Sequence, residues 1–102
     1  MTENTSWHAR AAEIKIDGRA FINGERVAAR SGRTFDNLSP IDGRLLGQVA
    51  RCDGADVEAA VQAARAAFDD RRWAGKSPAQ RKRILIKFAD LVQKYGPELA
   101  LL

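Results

Sequence analysis

The second half of this 102-residue chain carries two amphipathic helix patterns, and they limit its fold more than any other feature. Asp53 can cap the first helix, whose third position is Asp56. Ser77, Pro78 and Gln80 form a nearly complete start for the second helix, with Ser as cap, Pro in the first turn and Gln reaching back. The sequence therefore predicts two helices that begin at defined residues.

Each helix pattern has an apolar stripe at helical spacing. The stripes comprise Val57, Ala60, Val61, Ala64 and Phe68 in the first helix, and Leu85, Phe88, Leu91, Val92 and Tyr95 in the second. The first stripe is rich in small residues, so a neighbour must approach it closely. We predict that Gly96, in a left-handed conformation, and Pro97 end the second helix. Residues 98–102 read as the start of a third helix without a stop signal, which predicts that the chain is a fragment truncated at its C-terminus.

The first half of the chain predicts two short antiparallel hairpins. Asn23-Gly24, between residues 20–22 and 25–27, is typical of a type I′ turn because both central positions need positive φ. A second pair, residues 34–39 and 45–50, surrounds a turn at Asp42-Gly43. The fragment is therefore predicted to be α+β: two hairpins, two helices and the start of a third.

Residues 1–19 have the weakest pattern in the chain. Trp7 and the segment 14–16 are their only apolar anchors, so we interpret residues 1–19 as an N-terminal arm that gains order by lying on another surface. Residues 20–102 then form the structured part.

The composition indicates a globular protein and leaves one alternative function open. Hydrophobic residues make up 45% and charged residues 29%, with a net charge of +4. Such a charge can attract nucleic acid, but the basic residues are spread along the chain, and the tightest groups, Arg71-Arg72 and 81–83, have only Trp73 close by. A small free-standing basic binding module, for nucleic acid or a protein partner, stays open as the alternative.

No pattern of reactive residues predicts an active site within this chain. His8 and Cys52 are single and far apart, which excludes a zinc site or thiol–imidazole pair built from them. Cys52 precedes a helix start, where a thiolate could be activated, but a small residue filling a strand-to-helix corner is the better interpretation. Asp69-Asp70 is interpreted as a solvated charge cluster. The lysines Lys82, Lys87 and Lys94 have nothing in the sequence to desolvate them.

The order of these segments resembles the N-terminal region of the NAD(P)-dependent aldehyde dehydrogenases. The resemblance covers about residues 20–102, where no single segment is diagnostic but order and spacing together are specific. Its segments are FINGE at 21–25, TFDNLSPIDG at 34–43, DVEAAVQAARAAF at 56–68, Trp73, SPAQR at 77–81 and ADL at 89–91.

The resemblance implies an α/β parent enzyme that oxidises an aldehyde to a carboxylic acid with NAD or NADP. Residues 20–102 would be the N-terminal part of its cofactor-binding domain, with a structural role. The family's catalytic and cofactor-binding residues match no position here, so we expect none in this chain and expect the chain alone to be inactive and to bind no cofactor. One feature transfers: the backbone carbonyl of Leu38, before the Ser-Pro step, corresponds to a ligand of a monovalent cation.

The lead-in to the first hairpin resembles bacterial members most. Trp7-His8 and residues 17–22 resemble enzymes that act on γ-glutamyl-γ-aminobutyraldehyde and related ω-amino aldehydes in polyamine catabolism. The resemblance implies an aldehyde substrate, a homo-oligomeric parent and a cytoplasmic location, with neither nucleic acid nor a membrane as partner.

Overall fold

A computed structural model describes residues 6–102. The chain divides into two compact units, one made of residues 16–72 and one made of residues 6–15 with 73–102. Along the chain the elements are α1 (Trp7–Glu13), β1 (Ala20–Ile22), β2 (Glu25–Val27), β3 (Thr34–Leu38), β4 (Leu45–Ala50), α2 (Gly54–Asp69), α3 (Pro78–Lys94) and α4 (Gly96–Leu101). The predicted hairpins, the two helices and the third helix start are confirmed.

The first hairpin of the 16–72 unit pairs β1 with β2 in antiparallel register, with Ala20 opposite Val27. Asn23 and Gly24 connect the strands with φ values of 55° and 77°. Both central residues are thus left-handed, as a type I′ turn requires, and the predicted turn is confirmed.

The second hairpin pairs β3 with β4, with Phe35 opposite Val49 and an irregularity between Asn37 and Leu38. The backbone just before β1 lies against β4, where the Ala50 N–H donates to the Gly18 carbonyl at 2.8 Å. A Cβ at Gly18 would meet the Gln48 carbonyl oxygen and lie 3.0 Å from the Val49 Cα. Glycine is therefore required at position 18 by a close backbone approach.

Helix α2 begins with the predicted cap, because Asp53 accepts from the Ala55 N–H at 3.0 Å. The helix contacts β1. Its half-buried side chains are small: Ala59, Ala60, Ala63 and Ala67. Val57, Val61 and Phe68, which share the predicted stripe with Ala60, are instead 58%, 57% and 69% exposed. The alanine side of α2 therefore packs within the unit, and the larger apolar side chains face outward.

In the other unit, α3 starts with the predicted capping box, in which Ser77 N–H donates to Gln80 Oε1 at 2.8 Å and Gln80 N–H donates to Ser77 Oγ at 3.2 Å. Helix α1 contacts α4. The predicted unpatterned arm is wrong over Trp7–Glu13, because Ser6 Oγ caps a helix there by accepting from the Ala9 N–H. Residues 1–5 of the arm lie outside the described part of the chain.

The predicted left-handed Gly96 is also wrong. The α3 cap is Tyr95, with φ of −100°, and Gly96 is the first residue of α4. A following Pro97 favours this start, since proline fits the first turn of a helix, where its missing N–H has no intrahelical partner.

Ala29, at 4% exposure, is the one hydrophobic residue that is fully buried within residues 6–102. The stripe of α3 is open, with Leu85 and Phe88 56% and 63% exposed. No helix in this described range has the length and apolar character that crossing a membrane requires.

Candidate functional site

The most constrained polar group of the 16–72 unit is the Asp56 carboxylate, which is 4% exposed. Its Oδ1 accepts from the backbone N–H of Arg30 at 3.0 Å, and its Oδ2 accepts from the N–H of Asp53 at 3.0 Å. Donation from Asp53 and then from Arg30 lowers the pKa of Asp56, because both bonds stabilise the ionised form. The carboxylate therefore ties the loop after β2 to the start of α2, and both its oxygens are engaged in structure.

Cys52 lies immediately before the α2 cap and is exposed. Its pKa is raised, first because the thiolate loses hydration and then because Asp56 and Asp53 place negative charge nearby. A nucleophilic cysteine needs the opposite environment, in which positive charge stabilises the thiolate. The geometry therefore favours the structural interpretation of Cys52.

The adjacent carboxylates Asp69 and Asp70 face different arginines. Asp70 binds the Arg72 guanidinium at 2.6 Å, whereas Asp69 lies 3.9 Å from Arg65. Hydrogen bonds from Arg72 lower the pKa of Asp70. The two carboxylates thus do not converge on one point.

The other candidates do not assemble into a site. His8 is exposed on α1, and Lys82, Lys87 and Lys94 are exposed on α3. Residues 6–102 contain no group of three or more His, Cys, Asp or Glu side chains that could hold a metal ion. Leu38 ends β3 beside the irregularity in the hairpin, and the buried Ser39 that follows donates its N–H to the Arg44 carbonyl at 2.8 Å. A cation at Leu38 would thus need its other ligands from outside the described residues.

Two shallow grooves on α2 were not predicted from the sequence. One lies between the first hairpin and the alanine side of the helix, lined by Phe21, Asn23, Gly24 and Ala63 among others. The other is lined by Val61, Ala64, Arg65 and Phe68 and is mostly apolar. Neither groove holds a paired acid and base, so their chemistry suits packing rather than catalysis.

The sequence pattern that defines the aldehyde dehydrogenase family matches residues 27–102. The chain belongs to the aldehyde dehydrogenase family. Over its whole length it is similar to the aminoacetaldehyde dehydrogenase of Pseudomonas aeruginosa, with 45% identity covering 21% of that protein. The family match favours a dehydrogenase over the basic binding module.

Two solved structures share this fold. The γ-glutamyl-γ-aminobutyraldehyde dehydrogenase of Burkholderia cenocepacia matches 93% of the chain at 53% identity and a TM-score of 0.87, over 19% of its own length. The indole-3-acetaldehyde dehydrogenase of Pseudomonas syringae, solved with NAD+ and IAA, matches the same share of each chain at 55% identity and a TM-score of 0.86. The chain thus spans about a fifth of the relatives it matches.

Proposed function

We propose that this chain is the N-terminal fifth of an enzyme that oxidises an aldehyde to a carboxylic acid with NAD or NADP. One observation carries the proposal: the match is continuous, since family similarity extends from residue 27 to residue 102 without interruption. A shared small motif would match only a short segment.

The residues of this chain would serve that reaction through structure. Asp56 fixes the start of α2 against the loop after β2, and both oxygens of its carboxylate are occupied by backbone donors. Cys52 has its pKa raised and so is not poised as a nucleophile. Residues 20–102 would form the N-terminal part of the cofactor-binding domain, and NAD or NADP, when bound, would accept a hydride from the substrate.

The sequence lacks a glycine-rich phosphate loop of the G-x-G-x-x-G type. The described residues also bring together no nucleophile with an adjacent base. The residues that hold the cofactor and attack the aldehyde would therefore be supplied by sequence outside this chain.

The finer features of the parent enzyme are part of the proposal. Similarity to an aminoacetaldehyde and a γ-glutamyl-γ-aminobutyraldehyde dehydrogenase supports an ω-amino aldehyde as substrate and a role in polyamine catabolism. The parent would be a cytoplasmic homo-oligomer. The Leu38 carbonyl would contribute one ligand to a monovalent cation, and this is the one metal role we assign to the chain.

The experiment begins with the reading frame beyond Leu102. If it continues for several hundred residues, the complete product is purified and assayed by nicotinamide absorbance with aminoacetaldehyde, γ-glutamyl-γ-aminobutyraldehyde and an unrelated aromatic aldehyde. Reduction of NAD or NADP with the amino aldehydes supports the proposal. A stop codon directly after Leu102, or a complete product inert with all aldehydes, contradicts it and favours the binding module.

A further inference from the structure

Helix α2 has three distinct faces, and only one of them is packed inside its own unit. At about 100° per residue, the half-buried alanines Ala60, Ala63 and Ala67 share one side. Val57, Val61 and Phe68 lie together roughly 100° around the helix from that side. We call these three residues the outer face.

The third face of α2 is polar and is already engaged. Gln62 donates to Glu58 Oε1 at 3.2 Å, and Arg65 lies 3.9 Å from Asp69. Such pairs suit a surface that stays in water. The outer face therefore lies between a packed alanine side and a solvated polar side.

The outer face has the properties of a contact surface. Each of its three side chains is more than half exposed, and Val61 and Phe68 line a mostly apolar groove with Ala64 and the stem of Arg65. An exposed apolar patch next to satisfied polar groups indicates an interaction site.

We propose that the outer face docks an apolar segment of the polypeptide that, in relatives, lies outside the matched fifth. This inference rests on the proposed function. It commits to that occupant because the relatives carry the same fold at a TM-score of 0.87 together with about four fifths more chain. A partner of that length is large enough to bury the outer face without disturbing the contact of α2 with β1.

The experiment places the complete 102-residue chain in front of the remaining part of the Burkholderia cenocepacia enzyme, replacing the fifth that it matches. We call this fusion the chimera. Val61→Lys tests the outer face, and Gln62→Lys is the matched control, since it introduces the same side chain one position along, on the polar face. Val61→Ala is a milder variant in case the lysine prevents folding. The Tm of the chimera and the helix content of the 102-residue chain alone are measured for every variant.

We expect Val61→Lys to lower the Tm of the chimera by about 5 °C or more, and Val61→Ala to lower it by less. Gln62→Lys should change it little. None of the three should reduce the helix content of the chain alone, where the outer face is open.

Equal effects of Val61→Lys and Gln62→Lys in the chimera would overturn the inference, as would loss of helix in the chain alone with Val61→Lys. A chimera without a cooperative melting transition would overturn it as well. A chimera that melts cooperatively with these variant effects, while the complete natural product oxidises no aldehyde, would contradict the proposed function alone.

Discussion

The Asp56 carboxylate accepts the backbone N–H of Arg30, a residue 26 positions earlier, at 3.0 Å. The same carboxylate accepts the Asp53 N–H at the start of its own helix. One buried side chain thus completes a helix cap and joins the hairpin region to that helix. An asparagine could replace only one of these two acceptors.

This arrangement predicts acid sensitivity of the 16–72 unit. The folded pKa of Asp56 is below its ordinary value of 3.8, so its stabilising effect is complete above that value and is lost as pH falls towards the folded pKa. The Tm of the chimera should therefore fall when the pH is lowered from 5 to 3. Asp56→Asn should lower the Tm at pH 7 and reduce this pH dependence. An Asp56→Asn chimera with an unchanged Tm at pH 7 would show that the two bonds do not matter.

Gly18→Ala should destabilise the chimera by about 1–3 kcal/mol, because the new methyl group meets the backbone of β4 and a strand cannot yield as a flexible side chain can. Gly54→Ala is the matched control. A Cβ at Gly54 meets nothing within 4 Å, and alanine is the better helix former, so this change should be neutral or slightly stabilising. Denaturant unfolding measures both, and a Gly18→Ala protein as stable as Gly54→Ala would contradict the close approach.

Cys52→Ser in the complete enzyme should leave turnover almost unchanged. The thiol lies beside Asp53 and Asp56, which raise its pKa and so keep it protonated at neutral pH. Consistent with this, labelling of Cys52 by iodoacetamide should be slow at pH 7 and faster at pH 9. Turnover at background in a Cys52→Ser enzyme with an unchanged Tm would assign the thiol a catalytic role.

The 102-residue chain alone should bind neither NAD nor NADP and should oxidise no aldehyde. It should also self-associate, because its outer face and the α3 stripe around Leu85 and Phe88 are exposed. Calorimetric titration with each dinucleotide, an absorbance assay and sedimentation test these points. Micromolar binding of either dinucleotide would reveal a site that neither the sequence nor the fold indicates.

Features set by neighbouring residues could be predicted from the sequence. The Asn23-Gly24 turn and the Ser77–Gln80 capping box depend on three or four consecutive residues, and both are confirmed. Helix α1 was missed although Ser6 is an ordinary cap, because its seven residues carry a weak apolar pattern. Gly96 was misassigned because glycine after a helix usually ends it, whereas here a new helix starts at the same residue.

Features that join distant residues could not be predicted. The bond from Arg30 to Asp56 and the approach of Gly18 to β4 depend on how the hairpins and α2 meet, which no local pattern contains. Helical spacing also placed Ala60 and Val61 on one stripe. Contact of α2 with β1 divides that stripe, since small side chains permit a close approach and larger ones do not. The absence of a predicted active site from the sequence followed from motifs alone.

Three turns in the 16–72 unit share one local design, in which an aspartate binds both the backbone N–H and the guanidinium of an arginine two residues later. The pairs are Asp17 with Arg19, Asp42 with Arg44 and Asp70 with Arg72. Such exposed ion pairs add little to stability. Each turn can nevertheless close within three residues, without help from distant sequence. During synthesis on a ribosome these bends can therefore form as soon as they leave the exit tunnel, before any later segment exists, and the hairpins can pair in an emerging chain whose docking surfaces are still uncovered.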